Sequence, residues 1–170
     1  VPGLGGVVVV AVGYGHTLAV KSDGSVWGWG QNYAGELGHT ATNNPSAPVQ
    51  VAGLNDVMAV AVGMYHTLVV KSDGSVWGLG YNFAGQLGDR IAVGASTGSV
   101  PVQVQGLSGV VAVAAGYGYS LALKSDGSVW GWGQNYDGAL GDGTTKDRST
   151  PGKVPGLTGV VAISEGNYAV

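Results

Sequence analysis

One 17-residue segment occurs three times in this chain. KSDGSVWGWGQNYAGEL, beginning at Lys21, returns as KSDGSVWGLGYNFAGQL from Lys71 and as KSDGSVWGWGQNYDGAL from Lys124, and the outer two copies agree at 15 of 17 positions. The offsets are 50 and 53 residues. A unit of that length cannot bury its own apolar face, so recurring copies imply a propeller or solenoid of stacked neighbours rather than one core around a private active site.

Within the first copy, the stretch Val7 to Val12 reads as a strand buried on both faces, as do Val57 to Val62 and Val110 to Ala115. It is the candidate for the innermost strand near the ring axis. A turn at Gly13-Tyr14-Gly15-His16 leads into a second alternating strand ending at Lys21, and Ser22-Asp23-Gly24-Ser25 is a hairpin signal, Asp-Gly suiting the positive φ of a tight turn. Val26-Trp27-Gly28-Trp29-Gly30 follows as a third strand, its central glycine leaving room for a large ring from the adjacent element. A loop then runs to Pro48-Val49-Gln50-Val51, an outer edge strand led by proline. Helical periodicity is absent and glycine interrupts every candidate, so the expected fold is all-β: propeller blades of four antiparallel strands, about three per chain. The expected repeats are 1–50, 51–103 and 104–153, with a partial fourth at 154–170.

Composition narrows the function. Charged residues make up 10% of the chain and glycine 33 of 170 positions, yet the glycines sit at fixed places in the repeat, as turn and close-packing positions do and disordered tracts do not. The net charge of −3, with seven Lys and Arg in all, offers no basic stripe for phosphates, so no nucleic-acid partner is expected. No apolar run approaches the roughly 18–20 residues of a membrane helix, so no membrane partner is expected either. Without cysteine there is no disulfide, thiolate or Cys-zinc chemistry. Localisation is left open, with the abundance of Gly, Thr, Ser and Val leaning toward a secreted bacterial chain. The start at Val1 points to a processed chain or an excerpt of a longer one.

The pattern G-x-x-H-[ST]-L, D-G, V-W-x-W-G, N-x-x-G-x-L-G and P-x-x-V, seen at Gly13 to Leu18, Asp23-Gly24, Val26 to Gly30, Asn32 to Gly38 and Pro48 to Val51, resembles the regulator of chromosome condensation repeat family. The resemblance covers essentially the whole chain. It implies a seven-bladed β-propeller, in a family that includes GTPase exchange factors, a secreted bacterial β-lactamase inhibitor and many scaffolds, so it carries the fold further than the function.

Candidate chemistry reads mostly as structure. His16 and His66 share a repeat position that Tyr119 fills in the third copy, and read as turn residues bonding their own blade. Asp23, Asp73 and Asp126 are turn formers, each too isolated to supply the several carboxylates calcium wants. A denser polar cluster at 142–150 is a conceivable cation loop whose simpler reading is a solvated loop. The five tryptophans read as inter-blade core. No catalytic residue, cofactor or metal site is expected.

The expected function is therefore a non-catalytic scaffold that binds another protein or its own copies. Its contact candidates lie in the segments that vary between copies after each Leu-Gly, 39–47, 89–100 and 142–150: His39, Asn43, Asn44, Asp89, Arg90, Asp142, Lys146, Asp147 and Arg148. Alternatives are a sugar-binding propeller using exposed aromatics such as Tyr33, Phe83 and Tyr136, and a guanine-nucleotide exchange module by resemblance. Because three blades close no ring, two readings stand: the chain is a piece of a longer propeller, or copies join head to tail, the flank of 154–170 docking on 1–38 of the next copy.

Overall fold

The computed structural model describes residues 1, 3–38, 44–94 and 99–164. They form three four-stranded antiparallel sheets, each with its strands in chain order. The first contains β1 (Val7–Val12), β2 (His16–Lys21), β3 (Val26–Gly30) and β4 (Val49–Gln50). The second contains β5 (Val57–Val62), β6 (His66–Lys71), β7 (Val76–Gly80) and β8 (Val102–Gln103). The third contains β9 (Val110–Ala115), β10 (Tyr119–Lys124), β11 (Val129–Gly133) and β12 (Arg148–Lys153). These are three consecutive propeller blades. No described helix is long and apolar enough to cross a membrane.

The D-G hairpins form by a different route from the one their dipeptide implies. Gly24 N–H donates to Lys21 O and Lys21 N–H to Ser25 O, both at 2.9 Å, with Gly24 at φ +77° and Asp23 outside the positive-φ residues. This is a three-residue connection with glycine alone left-handed, rather than a two-residue turn with both residues so. Asp23 instead clamps the turn, its Oδ1 accepting from Ser25 N at 2.9 Å and Ser25 Oγ at 2.6 Å. Gly24 also touches the next blade: its carbonyl accepts from Val57 N at 3.2 Å, and a Cβ here would meet the Asp56 backbone at 3.0 Å.

Blades stack through apolar clusters. Leu18, Val20 and Val26 of the first blade pack with Val62, Val69 and Leu79 of the second; Leu68, Val70 and Val76 pack in turn with Ala115, Ala122 and Trp132 of the third. The glycine of V-W-G-x-G makes room for leucine, not for a ring. A Cβ on Gly28 would strike Leu37 Cδ2 at 2.6 Å and Leu18 Cδ2 at 2.9 Å.

The tryptophans divide by position. Trp132 is fully buried between blades, Trp77 and Trp130 pack at the edges of the clusters, and Trp27 and Trp29 are half-buried on the first blade. Lys21, Lys71 and Lys124 hold their ammonium groups over Trp27, Trp77 and Trp130 at 5.7, 4.8 and 5.7 Å.

The first inner strand departs from expectation. Val10 and Val12 of β1 are 56% and 68% exposed, whereas Val62 and Ala115, the counterparts of Val12, are 8% and 0% exposed. In the later blades this face is covered by the preceding blade, and on β1 it is open. Beyond the third blade, Val160 and Ile163 pack on Leu123 and Val129, while Val161 is fully in solvent.

Gly80 marks a point where a side chain cannot enter. It has φ +100°, and a Cβ would lie 2.5 Å from Tyr65 O and 3.0 Å from His66 Cα. Gly80→Ala is expected to cost about 2–3 kcal/mol through backbone strain and displacement of β6, read as a shift in the urea midpoint. An unchanged midpoint would show that the backbone relaxes freely there.

Candidate functional site

Each blade has two ends. At one end lie the D-G turns and the links between blades. At the other lie the β1–β2 type turns (13–15, 63–65, 116–118) and the long loops before each outer strand. A buried asparagine organises each long loop: Asn32, Asn82 and Asn135 accept from the N–H of Leu37, Leu87 and Leu140 at 2.9, 2.8 and 2.9 Å. This explains N-x-x-G-x-L-G physically, since the side chain closes the loop that seats the leucine in the core.

Most of the variable polar residues that the sequence nominates turn out to brace these loops. Asn44 Oδ1 accepts from Asn32 N at 3.0 Å, and Asp147 Oδ1 from Asn135 N at 2.8 Å. Asp89 accepts from Asn82 Nδ2 at 3.1 Å and from Ile91 N at 3.0 Å. Asp142 takes bonds from Thr144 N and Oγ1 at 2.9 and 2.7 Å, from Asn135 Nδ2 at 3.2 Å and from Arg148 Nη1 at 3.2 Å. Those bonds, the Thr144 hydroxyl first, hold the Asp142 carboxyl down at about 2. The cluster at 142–150 thus satisfies its own carboxylate with protein donors. Arg90, at φ +68°, donates its N–H to Ser149 O of the next blade at 3.2 Å, and its side chain and that of Lys146 are exposed. His39 and Asn43 lie outside the described residues.

The two histidines bond across blades, not within their own. His16 Nε2 lies 3.0 Å from Thr67 Oγ1, whose hydroxyl donates to Glu36 O at 3.0 Å; His66 Nε2 lies 3.1 Å from Ser120 Oγ, which donates to Gln86 O at 2.8 Å. With each hydroxyl proton committed to a carbonyl, Nε2 is the donor and both rings are neutral. Burial lowers His16 to about 4 and His66 to about 3. Trp132 Nε1 adds a further side-chain bond to the second interface, donating to Gln86 O at 2.8 Å. Sealed between blades, neither histidine reaches a substrate.

Glu36 occupies the position that Gln86 fills in the second repeat. It is fully buried; Oε2 accepts from Ala34 N at 2.9 Å, and Oε1 has no partner among the described residues. Desolvation raises its pKa above the ordinary value of 4.5. A carboxyl raised on folding contributes stability at pH below its unfolded value, and that contribution is lost as pH rises through the folded one. Glu36→Gln is therefore expected to gain about 1–3 kcal/mol at pH 7 and little near pH 4, by urea unfolding at both. A loss at pH 7 would show Glu36 to be a stabilised anion.

The sequence points to Tyr33 and Phe83 as exposed rings, and the structure joins them to three others. Tyr33, Tyr65, Tyr81, Phe83 and Tyr117 line a groove of about 640 Å³ across the loop ends of all three blades, with Gln86, Gln134 and Asp147 among its other walls. Tyr65 meets Tyr81 edge to face at 6.3 Å and 66°, and Tyr81 lies nearly parallel to Phe83 at 6.2 Å. Tyr136, the counterpart of Tyr33 and Phe83, is 56% exposed but does not line the groove.

A chain of stacked four-stranded antiparallel blades is a propeller-type repeat domain. Residues 23–70, 73–123 and 126–170 each match the regulator of chromosome condensation (RCC1) repeat, so the chain belongs to that family. A second description of the same repeat matches 7–36, 58–86 and 110–139. The chain is 35% identical over 158 residues to human E3 ubiquitin-protein ligase HERC2, an alignment covering 90% of this chain and 3% of that protein. It superposes on human WBSCR16 with a TM-score of 0.76 at 29% identity, covering 88% of this chain and 38% of the other. On Prp20p of Saccharomyces cerevisiae, a structure whose description includes binding to Gsp1p and histones, the TM-score is 0.79 at 24% identity, covering 89% and 39%. The chain thus spans well under half the length of these relatives.

Proposed function

We propose that this chain is a non-catalytic scaffold that binds a protein partner through the loop ends of its blades. The carrying observation is the exposed aromatic groove set on an asparagine-pinned framework, because adaptable recognition on a rigid base is where propeller repeats place their contacts. Membership of the repeat family supports it, as does the protein binding described for Prp20p. A photo-crosslinker at position 33 or 117 is expected to capture the partner, and one at position 23 or 126, in the turns of the opposite end, is not. Capture from the D-G turns alone would move the binding surface to the other end.

A second reading, docking of a further blade on the open flank, is favoured by one feature. Val12, Thr17 and Trp29 expose there what Val62, Thr67 and Leu79 bury against a neighbour. The occupant that suits this flank is a further blade of the same repeat, whether of the same polypeptide or of another copy of this chain. Mass by light scattering tests this reading: a monomer at 16.9 kDa across the concentration range rejects self-assembly. The named relatives are human and yeast proteins, and the compositional lean toward a secreted bacterial chain finds no support in them.

A further inference from the structure

The middle repeat departs from its neighbours at two coordinated positions. Where the first and third repeats have Gly15 with Gln31 and Gly118 with Gln134, the second has Tyr65 with Tyr81. In the outer blades the glutamine lies over the glycine: a Cβ on Gly15 or Gly118 would collide with the side chain of Gln31 or Gln134. In the middle blade both residues change together, and the vacated space holds two rings in edge-to-face contact. Tyr81 is 39% exposed and Tyr65 half-buried, so the exchange adds aromatic surface to solvent at the centre of the groove and contributes nothing to the inter-blade core.

The described lining has one sign of charge. Among the described residues no lysine or arginine borders the groove, and the charged one is Asp147, whose Oδ1 is engaged by Asn135 N at 2.8 Å. Aromatic faces carry negative potential, and Tyr65 and Tyr81, meeting at 66°, make a corner. A corner of ring faces beside a carboxylate is complementary to a positive charge carried on an apolar stem.

We propose that the groove binds an arginine or lysine side chain presented by an extended segment of the protein partner, an inference that rests on the loop-face reading above. The cation sits against the faces of Tyr65 and Tyr81 with Asp147 as its counter-charge. Phe83, Tyr33 and Tyr117 take the stem and the flanking backbone.

The repeats themselves supply variants that keep the fold. Tyr65→Gly with Tyr81→Gln installs the pair found in blades one and three, and Asp147→Asn installs the amide that Asn44 uses in the first blade for the same loop bond, at 3.0 Å. The test is calorimetric titration of the full chain with a nona-arginine peptide and with its citrulline analogue, which keeps shape and loses charge, in about 150 mM salt. Cellohexaose serves as a sugar probe. Nona-arginine is expected to bind the wild type and to bind the Tyr double variant about tenfold more weakly, although that variant keeps the net charge. The Asp147→Asn variant is expected to weaken binding severalfold, and citrulline to bind the wild type at least about tenfold more weakly than arginine. Equal binding of nona-arginine by wild type and Tyr double variant, or by neither, overturns the proposal. Equal binding of citrulline and arginine, with loss in the Tyr variant, overturns the cation while leaving the loop-face reading intact. Binding of cellohexaose alone replaces it with a sugar site.

Discussion

Trp132→Ala should cost about 4 kcal/mol or more of unfolding free energy in urea at pH 7, while Trp29→Ala, the same repeat position in the first blade, should cost only about 1 kcal/mol. Trp132 is fully enclosed between the second and third blades and donates to Gln86 O, so its removal leaves a ring-sized cavity and breaks a buried bond. Trp29 stands half-buried on the open flank of the first blade, and the loss is mainly partial apolar burial. Two nearly identical repeats thus give unequal costs, because what differs is the neighbour and not the local sequence. Equal, large losses at both positions would mean that the Trp29 flank is covered in solution, which is the signature of a docked blade.

Acid should destabilise the protein well before its carboxylates as a class protonate. His16 and His66 ordinarily titrate at 6.5; burial brings them to about 4 and about 3. Below pH 6.5 the unfolded chain binds protons that the folded chain refuses, so stability falls as pH drops from 6.5 toward those lowered values, and is fully present above 6.5. The slope is up to about 1.4 kcal/mol per pH unit for each histidine. Glu36 works in the opposite direction, adding stability as pH falls, but it is one group against two. The melting temperature is expected to drop steeply between pH 6.5 and 4.5, and less steeply in His66→Gln, which keeps a donor toward Ser120 and does not titrate. A flat wild-type profile would show that the interface admits water to the imidazoles.

The blade itself was legible because its determinants are local. Val-rich inner strands, the Asp-Gly turn and the Asn that closes each loop recur at fixed spacing, and each acts within about a dozen residues of itself. The hairpin geometry was less so: Asp-Gly occurs in more than one turn type, and the bonds Asp23 makes to Ser25 select the one in which glycine alone is left-handed. The histidines could not be assigned from one repeat, since their partners Thr67 and Ser120 lie 51 and 54 residues away on the next blade. The polar residues nominated for their variability, Asn44, Asp89 and Asp142 among them, also brace the loops with which they vary, a role that variability alone does not reveal. Part of the groove was legible as the exposed rings Tyr33 and Phe83, whereas its middle showed only as two substitutions, Tyr65 and Tyr81, in the second copy.

The sequence alone determined the all-β class, the four-stranded unit, the number of copies and the family, because a repeated string must make a repeated local structure. Only the tertiary arrangement decided which face of β1 lies open, that His16 and His66 join blades, and that rings from three separate repeats converge on one groove. Stacking brings residues some 50 positions apart within van der Waals reach, and whether a given side chain is buried, bonded or offered to a partner depends on which blade stands beside it.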